Sequence, residues 1–238
     1  MCSSDLLSAN VTKLGATIES AEITDGTIGT ADIASIDGGK IVGGDLQARL
    51  LKVGGGHTLS GDLATIAGGT NNTASGNYSA VGGGRNNRAT WDAGTIAGGQ
   101  DNLASGPTAT VGGGWTNSAT ANYAGVVGGG LNIASGGSAT VGGGYGNTAS
   151  GPGAVVSGGG WDGDTAVGNS ARGAASTVAG GLGNVATNSY ATVGGGLENT
   201  ASGPRAVVGG GWHNLAAGQH NTLGGGSYNY AKIGRAHV

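Results

Sequence analysis

A branched apolar residue recurs at a fixed interval along most of the chain, and an Asn follows each one six residues later. The interval is fifteen residues, as from Asn72 to Asn87, and it is interrupted once, between Asn147 and Asn169, by seven additional residues. The apolar positions are Ile66, Val81, Ile96, Val111, Val126, Val141, Val178, Val193, Val208 and Leu223. The Asn positions are Asn72, Asn87, Asn102, Asn117, Asn132, Asn147, Asn169, Asn184, Asn199, Asn214 and Asn229. The chain is therefore built from repeats.

Glycine and alanine follow the same period, so residues at equivalent places form columns. A pair of glycines follows each apolar residue, and the unit reads roughly A-T-V-G-G-G-x-x-N-x-A-S-G-x-x. The pairs are Gly68-Gly69, Gly83-Gly84, Gly98-Gly99, Gly113-Gly114, Gly128-Gly129, Gly143-Gly144, Gly180-Gly181, Gly195-Gly196, Gly210-Gly211 and Gly225-Gly226. An Ala stands two residues after each Asn, as at Ala74 and Ala149.

A unit of this length is too short for a helical hairpin, but it accommodates two short strands and two tight turns. In one repeat, Ala139 and Val141 point to one face with Thr140 between them, and Asn147 shares a face with Ala149. The pattern predicts an all-β fold, a parallel β-roll or β-solenoid of about eleven 15-residue coils.

The glycine pair and the Asn column are predicted to form the corners of each coil. A pair such as Gly143-Gly144 needs either positive φ or close backbone approach, and we expect a β-carbon at either position to clash in every layer. An Asn at a fixed place suits a turn, its side chain bonding its own backbone or stacking on the next Asn.

Such a stack has a thin core. Each Gly in strand-like structure costs about 0.5 to 1 kcal/mol, and Ala and Val bury little apolar area per coil. Sharing apolar faces among three parallel chains would compensate for this, so a homotrimer is the expected assembly.

The Val-Gly-Gly-Gly, Asn-x-Ala-Ser-Gly and Ala-Thr-Val segments resemble the repeats of the YadA-like head domain of trimeric autotransporter adhesins, over about residues 53 to 231. That family's usual repeat has single glycine positions and is one residue shorter. The resemblance implies a left-handed parallel β-roll trimer at the bacterial outer membrane or cell surface, with its anchor outside this segment. It also implies attachment to host extracellular matrix or glycans.

Four segments flank or precede the repeats. Residues 1–6 and 232–238 resemble translated sequencing-adapter sequence, and we interpret them as such. Residues 7–22 have the apolar spacing of a short coiled coil, with a single amphipathic surface helix as the equal alternative. Residues 23–52 are interpreted as a β-rich connector, and the repeat domain is assigned to 53–231.

Composition narrows the function. The chain has 57 Gly, no Phe, 10% charged residues and a net charge of −3, so a large-side-chain core is excluded. No basic stripe for nucleic acid is present, and no apolar run approaches the roughly 20 residues of a membrane span, so membrane contact is not expected within this segment.

No arrangement of side chains predicts catalysis. His57, His213 and His220 have no recurring carboxylate or Ser partner, and Cys2 lies in the adapter-like segment. The glycine-rich stretches lack the Lys-Ser/Thr ending of phosphate-binding loops. We therefore expect no enzymatic activity, no cofactor and no metal.

Four aromatic residues form the candidate binding surface. Trp115, Tyr145 and Trp212 directly follow a glycine pair, and Trp161 lies in the inserted residues. Exposed aromatic rings stack on sugars or anchor a protein partner. The alternative, which the mixed residue types of the column favour, is that they only cap corners. The insertion itself is either a ligand or calcium loop or, as we favour, a tolerated bulge.

The resulting hypothesis is an adhesive homotrimeric rod that binds through many weak contacts. A phage or tailocin tail-fibre segment is the first alternative. An ice-binding solenoid is the second, because threonines recur in one column, although the place two residues further is mostly Gly. The column contains Thr95, Thr110, Thr140, Thr177, Thr192 and Thr222.

Overall fold

The computed structural model describes residues 51, 52 and 54–232, and all regular structure there is β-strand. Every strand is two residues long. The strands are β1 Leu51–Lys52, β2 Thr58–Leu59, β3 Thr65–Ile66, β4 Thr73–Ala74, β5 Ala80–Val81, β6 Arg88–Ala89, β7 Thr95–Ile96, β8 Leu103–Ala104, β9 Thr110–Val111, β10 Ser118–Ala119, β11 Gly125–Val126, β12 Ile133–Ala134, β13 Thr140–Val141, β14 Thr148–Ala149, β15 Val155–Val156, β16 Ser170–Ala171, β17 Thr177–Val178, β18 Val185–Ala186, β19 Thr192–Val193, β20 Thr200–Ala201, β21 Val207–Val208, β22 Leu215–Ala216, β23 Thr222–Leu223 and β24 Tyr230–Ala231.

The strands form two parallel sheets, one of odd-numbered and one of even-numbered strands, each with 12 strands. One odd and one even strand make a coil, and each strand pairs with its equivalent in the next coil, as Val141 does with Val156. The predicted parallel β-solenoid is confirmed.

The solenoid has about twelve coils, one more than the repeat pattern predicted. The additional coil is the first, which departs from the repeat in two ways. Its β1 pairs with β3 at an offset one residue shorter than the repeat, with Leu51 opposite Thr65, and His57 stands where the other coils have Asn. This strand also begins two residues before the start assigned to the repeat domain.

The core lies between the sheets and consists of the predicted columns. Ala139 and Val141 are fully buried, whereas Thr140 is exposed. Asn147 and Ala149 are buried on the facing strand. Small residues in both layers keep the sheets close, so the core is one layer of Val or Ile against Ala.

The two glycines of each pair have different roles, which corrects the expectation of a clash at both. Gly144 has φ +82°, and a β-carbon there would overlap the carbonyl oxygen of Gly159 in the next coil. For Gly143, with φ +151°, the nearest atom to such a carbon is the Gly128 oxygen at 3.9 Å. The coil above therefore excludes a β-carbon only at the second glycine, whereas at Gly143 the positive φ that was expected of the pair is what disfavours other residues.

The insertion forms a small hairpin, closed by an antiparallel bridge between Trp161 and Ala166, and it protrudes as predicted. Asp162 stabilises its turn, because the carboxylate accepts the N–H of Thr165 at 2.7 Å and that of Asp164 at 3.0 Å. These two bonds, Thr165 first, lower the pKa of Asp162.

The interpretations of residues 1–6, 7–22 and 23–50, and of 233–238, lie outside the described residues. The described part contains no helix long and apolar enough to cross a membrane.

Candidate functional site

The Asn column forms a buried hydrogen-bonded ladder along the solenoid. The Asn132 side chain accepts the backbone N–H of Asn147 at 2.9 Å and donates to the carbonyls of Gly128 at 2.9 Å and Gly144 at 2.8 Å. Each amide thus joins its own corner to the next coil, and no polar atom of the side chain is left unpaired. This column is structural, and it combines the predicted backbone bonding with stacking between coils.

His57 is the first rung of this ladder. Its Nδ1 accepts the backbone N–H of Asn72 at 3.1 Å, as the Asn oxygen does elsewhere. From the sequence alone, His57 is considered only as a candidate catalytic residue. His57 lies one full repeat before Asn72, and this spacing could have predicted its structural role.

Residues directly after the glycine pairs form a corner column, in which residues of neighbouring coils form parallel bridges from Gly55 to Tyr145 and again from Leu182 to Ser227. Trp115 pairs with Gly130, and Gly130 with Tyr145. The two rings lie beside Gly130, since a β-carbon there would be 3.2 Å from Cδ2 of Tyr145 and 3.7 Å from Cε3 of Trp115.

Trp161 joins this corner from the hairpin. Its ring centroid is 6.5 Å from that of Tyr145, and 62% of the residue is exposed. The structure therefore brings together three of the four predicted aromatic residues: Trp115, Tyr145 and Trp161.

A groove runs along the solenoid beside these rings, and its floor is the second glycine of successive pairs. One part, of about 360 Å³, lies over Gly129, Gly144 and Gly159 and is walled by Tyr145 and Trp161. A second part, of about 350 Å³, shares Gly159 and Trp161 with the first. It continues over Gly181 and Gly196, beside Leu182, Leu197 and Asp162. We call the two parts together the glycine groove.

Trp212, the fourth predicted residue, lies in a separate cluster. Its ring is 4.7 Å from that of Tyr228 and 5.1 Å from that of His213. His213 also pairs with Glu198, Nε2 to Oε2 at 2.6 Å. From the sequence, His213 was given no carboxylate partner, and that was wrong, because Glu198 lies one repeat before it in the column directly beside the corner column. Sequence reasoning also missed Tyr228, which occupies the same column.

The outer surface of the odd-numbered sheet, from β3 to β23, is the second candidate surface. It consists of the first residue of each strand and the residue two positions later, all of them Thr, Gly, Ala, Val or Ser. We call it the Thr–Gly face. It includes the column proposed for ice binding, and the neighbouring column is mostly Gly and Ala. Val127, 66% exposed, is its most exposed large apolar residue.

Within residues 54–232, no three His, Cys, Asp or Glu side chains are grouped closely enough to hold a metal ion. No family model matches the chain. No curated protein matches it either. The two candidate functional surfaces of the described residues are the glycine groove with its aromatic corner and the Thr–Gly face.

Proposed function

We propose that this chain is a structural and adhesive repeat domain, a rigid homotrimeric rod on a bacterial cell surface. The observation that carries the proposal is the Thr–Gly face. Eleven coils present a continuous surface without a charged side chain, and the charged side chains of the solenoid lie outside this face. An extended uncharged surface of small residues suits close packing of two backbones.

The size of this face favours three chains over two. Coils spaced by about 4.8 Å, with an outer strip about 10 Å wide, give a face on the order of 600 Å². A standard interface buries about 800 Å² per partner. In a trimer each chain has two neighbours, and we expect residues beside the Thr–Gly face to be buried as well, which would bring the area buried per chain to that of a stable assembly.

The proposed location and activity follow from the repeats' resemblance to adhesin heads. A rod whose groove and aromatic corner recur three times around its axis would bind host matrix or glycans with avidity, even where each contact is weak. Catalysis is not proposed, since it requires a unique site and the surface is repetitive.

Mass in solution tests the assembly. We expect light scattering to give three times the chain mass, and Val127→Arg to reduce it to that of the monomer, because the substitution buries three charges near the trimer axis. Ile133→Arg is the matched control, since Ile133 is 40% exposed on the even-numbered sheet.

A trimer that withstands Val127→Arg but dissociates with Ile133→Arg would move the interface to the even-numbered sheet. A monomeric wild-type chain would overturn the homotrimer altogether.

A further inference from the structure

We propose that the glycine groove binds a neutral polysaccharide, with Trp161 as its central stacking platform. This inference rests on the proposed function, because it names the ligand class of the adhesive rod. The groove runs parallel to the solenoid axis, so an extended sugar chain would lie along the coils.

The groove exists because the fold prohibits side chains on its floor. At Gly129, Gly144 and Gly159 a β-carbon would overlap the carbonyl oxygen of the coil above, so these positions stay bare. Beside them the corner column contributes the Tyr145 side chain, since its neighbours there are Gly130 and Gly160, and the hairpin contributes Trp161. The result is a trough over five coils, in which consecutive glycines are about 4.8 Å apart, comparable to one pyranose unit.

The wall has the chemistry of a sugar platform. Tyr145 is partly exposed and Trp161 largely exposed, and Leu182 and Leu197 line the groove beyond them. The π faces of aromatic rings are electronegative and attract the polarised C–H groups on one face of a pyranose. Sugar hydroxyls then point away from the rings, toward solvent and polar groups at the rim.

A peptide strand fits the floor less well than a sugar. The Gly144 carbonyl already accepts the Gly130 N–H at 3.0 Å and the Asn132 amide at 2.8 Å. Gly129 and Gly159 accept two bonds in the same way. Strand addition to a sheet edge depends on free carbonyl acceptors, and these carbonyls are engaged.

Charge in the groove selects a neutral ligand. Asp162 is the only Asp, Glu, Lys, Arg or His among the residues that line the two parts. Its carboxylate can accept hydrogen bonds from sugar hydroxyls, whereas it would repel the carboxylates or sulfates of an anionic polysaccharide.

Affinity electrophoresis of the full 238-residue chain in gels containing laminarin, β-glucan, galactomannan or xyloglucan tests this inference. We expect at least one of these neutral polysaccharides to retard the chain, and Trp161→Ala to weaken that binding by about tenfold or more, as loss of a stacking contact does. Tyr145→Ala should weaken it less. Trp91→Ala is the matched control, because Trp91 is 54% exposed and does not line the groove.

Three outcomes would overturn the inference: no retardation by any neutral polysaccharide, equal losses for Trp161→Ala and Trp91→Ala, or binding only to heparin, alginate, collagen or fibronectin. Light scattering on the same samples separates this result from the proposed assembly. Trimers that bind no neutral polysaccharide would contradict only the ligand, whereas monomers that bind through Trp161 would contradict only the trimer.

Discussion

Replacing Gly144 with Val should unfold or severely destabilise the solenoid, lowering the free energy of unfolding by more than about 4 kcal/mol. Few single substitutions have so large an effect. Two causes act together. At φ +82° a β-branched residue is strained, and its β-carbon overlaps the Gly159 carbonyl in the next coil. Since that oxygen belongs to the inter-coil ladder, relief would require the two coils to separate.

Gly125→Val is the matched control. The free energy of unfolding of both variants is measured by urea denaturation, monitored by circular dichroism. Gly125 lies in strand β11 with ordinary φ, and a β-carbon there would meet nothing within 4 Å. Val155 and Val207 occupy the same column, so we expect neutrality or a gain of up to about 1 kcal/mol. Thr148→Val, on the outer side of β14, should also be tolerated. Similar destabilisation by Gly144→Val and Gly125→Val would contradict the assignment of corners and faces.

The solenoid was predictable from the sequence because the 15-residue period directly gives the register in which strands of neighbouring coils pair. Each Val or Ile has its partner one repeat away, and strand alternation then places Val141 inside and Thr140 outside. These features need no knowledge of distant contacts, because a coil touches only its neighbours.

The parts that escaped prediction depend on features that do not repeat. Gly143 and Gly144 are identical letters in the repeat, and only the backbone path shows that one faces open space and the other a carbonyl. Trp161 reaches Tyr145 through a hairpin whose direction no period specifies. The structural role of His57 was missed because a different residue type replaces Asn in the first coil, although His57 lies one full repeat before Asn72.

Removing one rung of the ladder by Asn132→Ala should lower the free energy of unfolding by about 2 to 4 kcal/mol, because each buried polar group left unpaired costs about 1 to 3 kcal/mol. The Asn147 N–H and the Gly128 carbonyl both lose their partner, whereas Gly144 keeps the Gly130 N–H. Urea denaturation measures the effect. Asn122→Ala, an exposed position on the opposite corner, should change stability by less than about 0.5 kcal/mol.

Asn132→Asp tests whether the amide donors, and not only the oxygen, hold the ladder. The carboxylate oxygen that replaces Nδ2 would face the Gly128 and Gly144 carbonyls in a buried site, whereas a protonated carboxyl could donate to one of them. The folded chain would then hold this proton more tightly than the unfolded chain, so stability falls as the pH rises through the ordinary Asp range near 4. We expect the variant's deficit relative to wild type to be larger at neutral pH than below that range. An equal deficit at both would show that loss of the donors is not what destabilises it.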